Sequence, residues 1–292
     1  MPGYRRQELW ITAGARRAKW GGCVAPSGLY TFRIRLYRNR ITRLFVRAGL
    51  EARNRVELVR LGSDYGGWWV PERDLGPSTR AYCAGVGSDI TFDLALIERY
   101  GCEVWAFDPT PAVIEQAPLW NTPDGWHFEP IGLWDEEGVI RFYTPVMRGH
   151  GSLSATNTHG SSAFIEARVE SLPLIMQRLG HNHLDVLKMD IEGAEGRVLD
   201  SMNSAGIRPR VLCVEFDRPE PPWRTRRRIR DVIAAGYALV RSEHWNYTFL
   251  LQDPASRRET QQDSDLAVVA TAAIGGGSAG AADHERGGVP KV

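Results

Sequence analysis

From residue 79 to residue 251 the chain alternates short apolar runs with stretches of helical period, and few folds accept that alternation. The runs at 81–83, 103–107 and 126–130 read as strands, and those at 184–189 and 211–216 as buried strands. Residues 139–143 alternate as an edge strand does. Between the runs, Ser88 caps a helix that carries Ile90, Leu94 and Ile97 on one face and closes at Gly101. Residues 111–118 form a short helix, and a further helix runs through 194–202. Two closely spaced runs, 237–240 and 247–251, make a terminal hairpin. Strand–helix–strand alternation of this kind specifies an α/β protein with a mainly parallel sheet covered on both faces, and the hairpin adds an antiparallel edge.

The flanks are of another kind. Residues 1–60 hold 14 Lys and Arg against three acids, whereas the rest of the chain holds 22 against 32. Three segments follow: a basic extension at 1–60, a catalytic-type body at 61–251, and a polar, then small-residue tail at 252–292 expected to be disordered, with a short helix at 265–274. In the extension Tyr30, Ile34, Tyr37, Ile41, Leu44 and Phe45 recur at helical spacing among arginines, although 32–36 also alternates as a strand would. Such a segment suits nucleic acid or an anionic membrane surface, an organelle transit peptide, or a plain solvated extension. Ten Trp and 10% aromatic residues exclude collagen-like and globally disordered chains. No apolar run reaches the roughly 18 residues of a membrane span. The four Cys (Cys23, Cys83, Cys102, Cys213) lie far apart without metal-ligand spacing. They read as free thiols of a reducing compartment, and hence as a cytoplasmic chain.

Chemistry concentrates at three places. Cys83-Ala84-Gly85-Val86-Gly87-Ser88 carries a strand into a helix through a Gly-x-Gly turn, where the backbone can lie against a ligand and free N–H groups face an anion. A dinucleotide fingerprint wants a third glycine where Ile90 stands, which weakens a nicotinamide-dependent oxidoreductase, the rival enzyme class. Asp108, before Pro109, ends the next strand, where a carboxylate can accept both hydroxyls of a ribose or simply cap the helix that follows. Lys188, Asp190 and Glu192 crowd the carboxyl end of a buried strand, the usual ligand crevice of an open α/β sheet. An ion pair, with Glu195 favouring the next helix start, is the alternative there.

The stretches CAGVGSDITFDLALIERYGCEVWAFDPTP, FEPIGLWDEEGVIRFYTP and LDVLKMDIEGAEGRVLDSM resemble the FkbM family of S-adenosylmethionine-dependent methyltransferases, and KMDIEGAE is the most specific block. The resemblance implies the class I methyltransferase (Rossmann-like) fold: a doubly wound, mostly parallel seven-stranded sheet with an antiparallel last strand. It also implies methyl transfer from S-adenosylmethionine to a hydroxyl of a small molecule or sugar. By matching position, residues Cys83 to Ser88 form the cofactor loop and Asp108 is the ribose acid. Cys83 stands where many such enzymes have an acid, which leaves the methionine ammonium to backbone carbonyls or Asp190. Ile131-Gly132-Leu133-Trp134 follows the third strand, where this fold lays the adenine, or is a simple strand-end turn; Pro109 also counts among the cofactor-binding residues. The loop His150-Gly151-Ser152-Leu153-Ser154 matches a substrate-side stretch, as a lid or a hydrated surface loop. An aliphatic hydroxyl needs help to lose its proton, so Asp190 or Glu192 is the expected base, with Lys188 tuning the charge. No metal is expected, but Asp190, Glu215 and Asp217 resemble the acids that hold Mg²⁺ in catechol-type enzymes.

Overall fold

The apolar runs become neighbouring strands of one sheet, because consecutive apolar residues satisfy a strand only when both of its faces are covered. A computed structural model describes residues 40–52, 56–143, 162–216 and 221–253. In chain order they form α1 (Arg40–Arg47), β1 (Leu58–Leu61), β2 (Trp68–Pro71), β3 (Arg80–Ala84), α2 (Thr91–Tyr100), β4 (Glu103–Phe107) and α3 (Pro111–Gln116). Then come β5 (Trp126–Glu129), β6 (Gly132–Trp134), β7 (Gly138–Tyr143), β8 (Phe164–Ser171), α4 (Leu172–Leu179) and β9 (Val186–Met189). The chain continues through α5 (Glu195–Ser204), β10 (Val211–Glu215), α6 (Pro222–Ala234), β11 (Tyr237–Glu243) and β12 (Asn246–Leu251).

The main sheet has seven strands in the order β11-β12-β10-β9-β3-β4-β5. β5, β4, β3, β9 and β10 pair in parallel, and β12 pairs antiparallel with β10. The antiparallel last strand therefore lies inside the sheet, between β10 and β11, rather than at its edge as the hairpin suggested. Residues 139–143 do alternate, but β7 belongs to a separate three-stranded sheet, β6-β8-β7. Both faces of the main sheet are buried. Ala81, Cys83, Val104, Ala106 and Val186 face a cluster with Phe92 and Leu96 of α2 and Trp68 and Val70 of β2.

Local details depart from the periodicity. No side chain caps α2 at Ser88; Asp89 accepts the backbone N–H of Thr91 at 3.0 Å instead. The buried stripe of α2 is Phe92, Leu96 and Tyr100 with Asp93, while Leu94 and Ile97 are half-covered. Gly101 closes the helix in the left-handed conformation, φ 64°. In α1 the buried positions are Thr42 and Val46, and Leu44 and Phe45 are about half exposed at 53% and 52%. Arg226 of α6 reaches the end of this helix. Its guanidinium takes the carbonyls of Phe45, Val46 and Ala48 and lies 5.5 Å from the Phe45 ring centroid, so a cation docks this helix. Residues 30–39 of the expected basic helix, the segment 265–274 and Cys23 lie outside the described residues.

The small sheet is joined to the body by charge. Glu170, 1% exposed, receives Arg168 at 2.7 Å and Arg178 at 3.1 Å, and Arg178 also reaches Glu129 of β5 at 3.1 Å. A carboxylate buried this far needs such partners.

Cys83, Cys102 and Cys213 are free and buried. Burial pushes the Cys102 thiol up to about 11 and Cys213 to about 12, and raises Cys83, Tyr82 and Tyr247 as well. The folded chain thus keeps protons that an unfolded one releases from about pH 9 upward. Stability is expected to be full below that point and to fall steadily as pH rises through the 9–12 range. Thermal unfolding at pH 7, 9 and 10.5 checks this; a melting temperature unchanged across the series contradicts it.

Candidate active site

β3 is the first strand of the main sheet and stands near its middle. From it the chain builds outward to β4 and β5, then crosses to β9 and β10 on the other side. The carboxyl ends of β3 and β9 therefore flank a switch point, where a crevice opens in sheets of this type. The loop after β3 turns at Gly85 (φ 73°) and Gly87 (φ 58°), conformations that glycine adopts freely. It is pinned from both sides: the Gly85 N–H donates to the Phe107 carbonyl at 2.9 Å, and the Asp190 N–H to the Ala84 carbonyl at 3.1 Å. A β-carbon on Gly85 would fall 1.7 Å from the Asp190 carbonyl oxygen, so the two loops touch there through bare backbone. A β-carbon on Gly87 would meet nothing within 4 Å. One glycine serves close approach, and the other borders open space.

Asp108 ends β4 beside that space. Its Oδ2 accepts the Gly87 N–H at 2.9 Å and its Oδ1 the Thr110 N–H at 2.8 Å. The carboxylate thus ties the glycine turn to the residue before α3 without capping that helix, whose N-cap Thr110 has no side-chain cap bond. Each oxygen retains a lone pair for a further donor.

The loop after β9 carries the other charges. Lys188 is buried, and its Nζ donates to the Gly85 carbonyl at 2.6 Å and the Ala84 carbonyl at 3.4 Å, with Asp190 Oδ2 at 3.8 Å. Desolvation would lower its pKa, but Asp190, Cys83, Asp93 and Glu215 outweigh that and raise it, so the ammonium keeps its proton. Asp190 and Glu192 are partly exposed at the crevice, and Glu192 sits in the left-handed region at φ 53°. That strain is held by Glu195, whose carboxylate accepts the N–H groups of Ile191 (3.2 Å) and Gly193 (3.0 Å). Glu195 is therefore a loop brace at the start of α5.

Sequence reasoning missed three groups. Asp93 of α2 lies fully buried next to Cys83 and receives the Trp126 indole N–H at 3.2 Å. Burial raises its pKa, while Cys83, Lys188 and Trp126 act against the rise. The Cys83 side chain thus faces Asp93 on the helix side of the sheet, 1% exposed, and only its backbone adjoins the glycine loop. The β1–β2 turn supplies the other two. Ser63 Oγ donates to Asp89 Oδ2 at 2.5 Å, and the Ser63 N–H donates to Thr91 Oγ1 at 2.8 Å. Burial opposes it, yet bonds from Ser63, Thr91 and Gly66 hold the Asp89 carboxyl below its usual range. Ser63 Oγ also accepts the Tyr65 N–H at 3.1 Å, and the Tyr65 side chain is 89% exposed near the acidic end of the sheet. There partial burial and the fields of Asp190, Glu215, Glu192 and Asp89 raise the phenol's pKa. No motif in the apolar pattern marks Tyr65.

Pro109 is half-buried beside Gly132. A β-carbon on Gly132 would press Val169 at 3.0 Å, Phe142 at 3.1 Å and Pro109 at 3.3 Å, so packing within the protein accounts for its small size. Leu133 is buried as well. Val86 is buried and Ser88 exposed on the glycine loop. Residues 150–154 and Asp217 lie outside the described residues. Among the described residues no group of three or more His, Cys, Asp or Glu stands close enough to hold a metal ion, and no helix is long and apolar enough to cross a membrane.

Comparison with known proteins converges on the same stretch. The chain is 30% identical over 123 residues to the human "Probable methyltransferase-like protein 24" and 28% identical to its rat counterpart. Each match covers 42% of this chain and 28% of the relative, so the chain matches little more than a quarter of those proteins. No solved structure matches. The family model described as "Methyltransferase FkbM domain" matches residues 82–247, from inside β3 to inside β12. With that span holding the switch-point crevice and every strand that frames it, the chain belongs to the FkbM methyltransferase family.

Proposed function

We propose that this domain moves a methyl group from S-adenosylmethionine to a hydroxyl oxygen of a small molecule or sugar. The observation that carries the reading is the Asp108 carboxylate bonded to the Gly87 N–H beside open space at the switch point. A nucleoside fits that arrangement: the free lone pairs of Asp108 accept two ribose hydroxyls, and the Val86–Ser88 backbone lies along the ligand. Pro109 and the backbone of Gly132 and Leu133 bound the base. The carbonyls of the glycine loop and Asp190 face the amino-acid end. The cofactor, when bound, supplies a methyl group already made electrophilic by its sulfonium.

The chain's own residues then have two tasks: to align the acceptor and to remove its proton. Asp190, about one-third exposed, is the base in this reading, and Glu192 is the second carboxylate within the same loop. Lys188 is engaged by the glycine-loop carbonyls and is a positioning residue rather than a catalytic one. Tyr65, which keeps its proton, donates to the acceptor from above the acidic end.

Calorimetric titration with S-adenosylhomocysteine, beside NAD as the rival ligand, tests the reading. Wild-type protein is expected to bind the thioether and to ignore NAD. Asp108→Asn removes the charge and one acceptor oxygen, and is expected to weaken the thioether by about 10- to 100-fold. Tight NAD binding without a response to the thioether, or equal thioether affinity in the variant, sinks the assignment.

A further inference from the structure

We infer that a basic cavity beside the crevice is a subsite for a phosphoryl group borne by the methyl acceptor; this deepens, and rests on, the methyl-transfer reading. The cavity measures about 290 Å³ and is lined by Arg43, Leu44 and Arg47 of α1, Ser242 of β11, His244 of the hairpin turn and Tyr247 of β12. That is room for a phosphoryl group together with part of the molecule that bears it, at the lower end of small-molecule pockets.

Register places it. Tyr247 pairs with Val214, and Val214 pairs with Met189, the residue before Asp190. Two strand spacings therefore separate the Tyr247 backbone, at the edge of the cavity, from the end of β9, roughly 10 Å. The His244–Trp245 turn stands at the carboxyl rim of the parallel strands, the rim that carries Asp190 and the glycine loop. An acceptor of sugar size can present a hydroxyl to Asp190 while its phosphoryl group rests here.

Charge selects the ligand. Arg47 donates to Ser242 Oγ at 3.3 Å and lies 3.9 Å from Glu51, and Ser242 also donates to Glu51. That one carboxylate is thereby shared, and Arg43 has no hydrogen bond or ion pair among the described residues. Burial raises the Tyr247 phenol, Arg47 and Arg43 act against that rise and Glu51 adds to it, so both guanidiniums act on this lining residue. His244 holds a left-handed φ of 55°, as a two-residue hairpin turn asks. Two guanidiniums suit an anion rather than a neutral sugar, and the double charge of a phosphoryl group uses both of them.

A phospholipid headgroup offers the same chemistry, and exposed Leu44 and Phe45 adjoin the cavity, so the test separates the two sources. Inorganic phosphate is titrated into the full chain by calorimetry at low salt, with S-adenosylhomocysteine titrated in parallel. Expected are saturable phosphate binding, a loss of about tenfold or more in Arg43→Gln, a smaller loss in Arg43→Lys, and unchanged thioether affinity in both. Phosphatidylcholine vesicles containing phosphatidylglycerol are expected not to sediment the protein. Absence of saturable phosphate binding, or equal phosphate affinity in Arg43→Gln, overturns the subsite while thioether binding leaves the methyl-transfer reading intact. Vesicle binding that Arg43→Gln abolishes moves the phosphoryl group to a lipid and overturns the acceptor assignment. Phosphate binding without thioether binding fails the parent reading instead.

Discussion

Replacing Gly85 with alanine is expected to cost about 3 kcal/mol or more of folding stability and to abolish binding of S-adenosylhomocysteine. The added carbon would lie 1.7 Å from the Asp190 carbonyl oxygen, less than half an ordinary contact, and that oxygen is backbone. No rotamer relieves the overlap. The loops after β3 and β9 must separate, which breaks the bond from Asp190 N–H to Ala84 and the bond from Lys188 to the Gly85 carbonyl. The φ of 73° adds its own strain for any residue with a side chain. Gly87→Ala is the matched control: φ is 58° there, but the new carbon meets nothing within 4 Å, so the expected cost is only about 1 kcal/mol. Urea unfolding of the two variants beside the parent measures the difference. If Gly85→Ala unfolds at the same urea concentration as Gly87→Ala, the close approach of the two loops does not govern the fold.

That contrast also explains what was legible in the sequence. The Gly-x-Gly turn, Asp108 after EVWAF and the KMDIEGAE block could be located because parallel strands, buried on both faces, write themselves as unbroken apolar runs with polar residues at their carboxyl ends. Which glycine touches backbone and which borders space could not be read, since both look alike in a motif. β1 and β2 were missed because they lie ahead of the strand–helix alternation, with no helical stretch between them to set the runs apart. β8 was missed because its Glu166 and Arg168 face ion-pair partners, Arg141 and Glu137, so charge replaces the apolar alternation. The position of the last strand depends on which neighbour it pairs with, and a hairpin signal is silent on that. Tyr65 and Asp93 reach the site through tertiary packing alone. A lone tyrosine in a short turn and a lone aspartate in a helix have no spacing to betray them.

The same packing implies that the crevice is built on charge beneath as well as around it. Cys83, Lys188 and Cys213 stand side by side on β3, β9 and β10, so a lysine occupies a core position between two buried thiols. A lysine there is tolerable only because its ammonium finds the Ala84 and Gly85 carbonyls, Asp190 and the field of Asp93. The lysine read as a charge tuner from its motif is, in the fold, the strut under the glycine loop.

Lys188→Met is therefore expected to be the most damaging exchange of a charged residue, although methionine matches the lysine stem in length and apolar character. It leaves the Gly85 carbonyl without its lysine donor, the Ala84 carbonyl with the Asp190 N–H alone, and Asp93 without the Lys188 field, a loss of about 3–5 kcal/mol by analogy with halved buried ion pairs. The pH dependence separates this from a simple packing defect. Burial already raises the Asp93 carboxyl in the parent, and the Lys188 field holds the rise down. Without the lysine the carboxyl rises further, so the folded variant binds a proton that the unfolded chain, at its ordinary 3.8, has released. Stability of the variant then increases as pH falls through that window, and its deficit against the parent narrows between pH 7 and pH 5. Urea unfolding of both proteins at the two pH values measures the change. A deficit of equal size at both would mean that Asp93 is not the group left uncompensated, and the strut would act through the carbonyls of Ala84 and Gly85 alone.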